Sequence, residues 1–153
     1  MTPLVEQPHL SVAPSTPRSL SYDFAVLRVV PHVYVGAFSP IGVIVHARTR
    51  EYLDMRTLAD PALLSARTIG VDQDLLAKYL AVYHAVCRGD ADAGPVALTP
   101  TSERFHWLTA PRSDVLQSSP VHEGLCDDPR VALDELYARF VELPRPSTSA
   151  DRP

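Results

Sequence analysis

The chain has 153 residues, 46% of them hydrophobic and 21% charged, with a formal net charge of -4. That is the size and composition of a single globular domain, and the acidic balance argues against nucleic acid as a partner, because a basic face is its usual footprint. No run reaches the roughly 18 apolar residues of a membrane-spanning helix, and no basic segment leads into an apolar one as in a signal peptide, so a cytoplasmic protein with no membrane partner is expected.

Two cysteines, Cys87 and Cys126, come with neither CxxC nor Cys/His ligand spacing. A structural metal is not expected, and both are read as reduced thiols, with a disulfide left open. Residues 1–20 hold Pro3, Pro8, Pro14 and Pro17 among small and polar residues and show no period of 2 or 3.6. This predicts a disordered N-terminal tail, then one domain over 21–143 and a second disordered tail over 144–153.

Ser21 to Arg56 is the densest apolar stretch and reads as three strands. Tyr22 to Val30 is apolar on both faces, which predicts a central strand covered on both sides; Arg28 interrupts its aromatic face. Pro31 ends it. After a connector containing Gly36, Ile41 to Ala47 and Glu51 to Arg56 predict a hairpin with a three- to five-residue loop around Arg48, Thr49 and Arg50. With Ala47 opposite Glu51, Val43, Val45, Leu53 and Met55 would share one face.

Asp60-Pro61 opens a short helix to about Arg67, with Asp as N-cap and Pro at the first position. Asp72 opens a longer one, in which Leu76, Leu80, Tyr83 and Cys87 recur at helical spacing and Gly89 is the C-cap. Short strands are expected at Val96 to Leu98, at Phe105 to Leu108, and at an edge over Val115 to Gln117. The rest of Thr109 to Pro129 is rich in turn formers and reads as a long loop, which in a compact domain points to function. Asp128-Pro129 repeats the cap, and Leu133, Leu136, Tyr137, Phe140 and Val141 form one face of the helix that follows. The expected fold is α+β: an antiparallel sheet of three to five strands with two main helices packed on it.

No phosphate-binding loop, GxSxG, HExxH, EF-hand or dinucleotide-binding glycine pattern is present, so no cofactor is expected. The turn-rich segment Ala110-Pro111-Arg112-Ser113-Asp114, followed by Ser118, Ser119 and His122, has the donors that hold an anion. Arg28 and Arg56, each on a predicted strand among apolar residues, either pair with Asp23 or Asp54 or serve the same purpose. The candidate anion-binding residues are therefore Arg28, Arg56, Arg112, Ser113 and His122. Ser113 with His122 is also a conceivable nucleophile–base pair. His46, His84, His106 and His122 lack metal-ligand spacing, and Trp107 reads as core.

The stretches YDFAVLRVVPHVYVGAFSPIGVIV, SERFHWLTAPRSDVLQSSPVHEG and DDPRVALDELYARFV resemble, over roughly Tyr22 to Val141, the bacterial family called domain of unknown function 3037. Gly36, Phe38, Ile41, Gly42 and Val43 match a family pattern Gly-Glu-Phe-x-Asn-Ile-Gly-Val. Ala37 and Pro40 replace its Glu and Asn, so a site built on that carboxylate and amide does not carry over. Arg28, Arg112, Ser113 and His122 fall on positions of the family pattern. The resemblance implies a cytoplasmic bacterial protein with no assigned activity, and an association with toxin-type serine kinases that implies a protein partner. Two functions are thus open: a non-enzymatic binding or interaction module, or a small hydrolase or transferase acting on a phosphate-bearing substrate through Arg28, Arg112, Ser113 and His122.

Overall fold

The structure, a computed structural model, describes residues 20–30, 38–112 and 114–142. Residues 1–19 and 143–153, most of the connector (31–37) and Ser113 lie outside the described residues, and with them the two expected tails, apart from Leu20, which is in a strand. In chain order the elements are β1 (Leu20–Val29), β2 (Ser39–Ala47), β3 (Tyr52–Thr57), α1 (Pro61–Arg67), α2 (Gln73–Arg88), α3 (Thr101–Thr109), β4 (Leu116–Ser118), β5 (His122–Cys126) and α4 (Pro129–Tyr137). A π-helical turn, Ala138–Glu142, extends α4.

The helix ends follow the sequence closely. Asp60, Asp72 and Asp128 each accept backbone N–H groups of the first turn, and Pro61 and Pro129 occupy first-turn positions where no donor is missed. Gly89 closes α2 at φ 80°, a left-handed conformation that a side chain resists.

The five strands form one antiparallel sheet in the order β3-β2-β1-β4, with β5 also on β1. β4 and β5 share the same side of β1. Ser118 lies opposite Leu27 and His122 opposite Phe24, so three residues of the outer strand span two of β1. The extra residue is a β-bulge at 119–121. There Ser119 closes the ladder in an unusual way: its N–H donates to the Val26 carbonyl, and its hydroxyl accepts the Val26 N–H at 2.9 Å.

Helices cover both faces. Val43 and Val45 lie with Phe24 and Val26 on the side of α4 and its π-helical turn, where the Phe24 and Phe140 rings are 6.0 Å apart. Ala25, Leu27, Ile44 and Met55 face α2 and α3. β1 and β2 are accordingly buried on both sides, as their continuous apolar runs require.

Four expectations are corrected. Ala47 pairs with Tyr52, not Glu51, because Glu51 is taken up by the turn: it adopts φ 49° and its N–H donates to the Arg48 carbonyl. That single step turns β3 over, so Leu53 and Met55 face α2 and α3 while Asp54 and Arg56 face α4. Phe105 to Leu108 belongs to helix α3, since a four-residue apolar run does not distinguish strand from helix. Val96 to Leu98 lies in a 3-10 turn, Pro95–Leu98, started by Pro95. The supposed loop 109–129 also holds β5, whose exposed Glu123 and Leu125 hid the alternation of a half-buried strand.

Candidate functional site

The bulge opens the outer edge of the sheet opposite the C-terminal end of α3. A cleft of about 390 Å³ forms there, lined by Arg28, Thr109, Pro111, Arg112, Gln117, Ser118, Ser119 and Pro120. Arg28 arrives from the C-terminal end of β1, beside a register shift that follows Leu27. Arg112 arrives from the segment after α3. Two of the five candidate residues, far apart in sequence, thus line one cavity.

Arg112 is held in place by neutral groups. It donates to the Tyr83 hydroxyl at 2.8 Å and to the Trp107 carbonyl at 2.7 Å, and its guanidinium lies 4.4 Å from the Trp107 ring centre. Burial keeps the Tyr83 phenol above its ordinary range despite the adjacent guanidinium, so it stays a neutral acceptor. These bonds use two of five N–H donors. Arg28 stacks on Phe38 at 4.5 Å, and its buried Nε has no hydrogen-bond partner among the described residues.

Among the described residues, neither arginine has a carboxylate within ion-pair distance, whereas Arg56, Arg88 and Arg130 each do. No acidic residue among the described residues lines the cleft. Half-buried positive charge without a counter-charge is costly, and an anion is its natural complement. The Gln117 amide donates to the Asp114 carbonyl and retains a second N–H. Ser118 and Ser119 donate to backbone carbonyls, so they shape the cleft more than they arm it.

The other candidates lie elsewhere. Arg56 sits on the α4 side of β3, 2.9 Å from Asp134 and stacked 4.2 Å from the Tyr137 ring; its partner is neither Asp23 nor Asp54. His122 is exposed on β5 with its ring 5.4 Å from Phe24, and it is not part of the cleft. Ser113 lies outside the described residues. The sequence reading missed Tyr83 and Trp107, which looked like ordinary core aromatics; only a contact across the fold reveals that they hold Arg112.

A second cavity, about 440 Å³, includes Asp23, His46, Arg48, His106 and Glu123 in its lining. Its charges are of both signs. His46 stacks 5.1 Å from Phe105 and lies 3.3 Å from the Thr101 hydroxyl. No group of three or more His, Cys, Asp or Glu among the described residues could hold a metal ion. None of the described helices is long and apolar enough to cross a membrane.

The fold and cleft define an α+β protein in which a double-covered antiparallel sheet carries an arginine-lined edge. The family described as "Protein of unknown function (DUF3037)" matches residues 24–141, and the chain belongs to it. No curated protein and no solved structure matches the chain.

Proposed function

We propose that this protein is a non-enzymatic binding module for an anion, a phosphate or carboxylate group, held between Arg28 and Arg112. The observation that carries this reading is a pair of guanidinium groups that line one cleft without an acid or an ion-pair partner among the described residues. His122 lies away from that cleft, which favours binding over hydrolysis or group transfer. A cytoplasmic setting is supported by Cys87, a buried thiol of the kind a reducing compartment keeps.

Thermal unfolding in rising inorganic phosphate, at constant ionic strength, tests the reading. A ligand that binds only the folded state stabilises it by about 2.7 kcal/mol at a hundredfold excess over Kd, which is several degrees for a chain of this length. The shift should vanish in Arg28→Gln, which removes the charge and leaves a shorter, neutral polar side chain. A wild type indifferent to phosphate, sulfate and simple carboxylates would move the weight to a protein partner, with pull-down from the native extract as the next step.

A further inference from the structure

Arg112 lines two cavities, not one. Beyond the anion cleft lies a cavity of about 270 Å³ walled by Tyr79, Val82, Tyr83, Trp107 and Leu116, with Arg112 and Asp114 at its polar end. The fold leaves apolar surface open here: Val82 is 45% exposed. Its bonds to Tyr83 and Trp107 hold Arg112, which is common to the linings of the two spaces.

The charges on the two sides differ. Among the described residues the cleft has Arg28 and Arg112 and no acid, so it carries two positive charges; the apolar cavity has Arg112 and Asp114, one charge of each sign, with no ion pair between them. An anionic group is drawn to the Arg28 side and repelled from the Asp114 side. An apolar group prefers the side of Tyr79 and Val82, where it removes hydrocarbon and aromatic surface from water.

Resting on the anion-binding reading, we propose that the two cavities form one site for an amphipathic organic oxyanion. Its head lies between Arg28 and Arg112, and its apolar, preferably flat body lies against Tyr79, Val82 and Tyr83. Asp114 fixes the direction in which the ligand enters. Arg112 contacts head and body together, so it couples the two halves of the ligand.

Phenyl phosphate and inorganic phosphate, compared on the full chain, separate this proposal from the simpler one. The expected result is a half-saturating concentration for phenyl phosphate at least tenfold lower, by thermal shift, with a change in Trp107 fluorescence that inorganic phosphate does not produce. Val82→Asp, which puts a charge in the apolar cavity, should cancel that advantage. Arg28→Gln should weaken both ligands. Equal affinity for the two phosphates overturns the amphipathic site while leaving the anion reading in place. Phenyl phosphate binding that survives Arg28→Gln undiminished also overturns it, because the body would then bind alone. Silence from both ligands overturns both readings.

Discussion

His46 and His84 lie on the α2–α3 side of the sheet, and each is within reach of one hydroxyl. The Thr101 hydroxyl is 3.3 Å from His46, and the Thr57 hydroxyl is 3.0 Å from His84. Burial lowers both imidazole pKa values below the ordinary 6.5; for His46 it outweighs the opposing charge of Asp23, with Arg48 and Arg104 adding to it, and for His84 Arg88 adds to it against Asp54. The unfolded chain therefore binds these protons more readily than the folded one. Their contribution to stability is complete above about pH 6.5 and is lost as the pH falls toward the folded values. The melting temperature should drop between pH 7.5 and 5.5, and His46→Gln should flatten the slope. A melting temperature that holds or rises over that interval contradicts the assignment of neutral histidines. Cys87 follows the same physics with another group: burial pushes its thiol up to about 12, which leaves it inert as a nucleophile.

Among the elements, β2 and β3 show how a local count decides a distant contact. Gly42 packs so closely on β3 that a Cβ there would lie 2.6 Å from Thr57 Cγ2 and 2.9 Å from the Arg56 carbonyl. Gly42→Ala should destabilise the fold by about 1–3 kcal/mol, the usual scale of overpacking, and lower the melting temperature by several degrees. Retention of the wild-type value would mean that the β2–β3 spacing adjusts freely. The Asp caps, the Pro starts and the Gly89 stop were legible because each acts within a few residues of itself. The register of the hairpin was not, because it turned on whether Glu51 belongs to the loop or to the strand. Arg56 inherited that error: one residue of slip moves it to the α4 side, where Asp134 awaits it. That pair is largely exposed and contributes no more than about 1 kcal/mol.

Across the whole molecule, the sheet is the common support of two helical layers. Asp72→Ala removes an oxygen that caps α2 through two N–H groups and should cost about 1 kcal/mol. Because α2 and α4 pack on opposite faces of the same strands, the loss should appear as one shifted transition, identical by circular dichroism and by the fluorescence of Trp107, the single tryptophan. Two separated transitions would show that the layers unfold independently. The fold class was readable from the chain because β1 and β2 are apolar on both faces, a pattern that only a covered sheet satisfies. The cleft was readable only in part. Arg28 and Arg112 stand out as charges among apolar or turn-forming residues, but their meeting depends on where β4 docks, which no local pattern encodes.

The bulge at 119–121 has a second consequence, for how these molecules behave in a crowd. A sheet's outer strand is a row of open hydrogen-bonding groups on which another chain can settle, the first step toward aggregation. Here that row is broken into β4, three residues long, and β5, five residues long. Pro120 offers no N–H at the break, and Ser119 has turned its hydroxyl inward to Val26. The irregularity that makes room for a ligand thus also denies a neighbour a continuous template. Any change that straightened the strand would narrow the cleft and lengthen the sticky edge together.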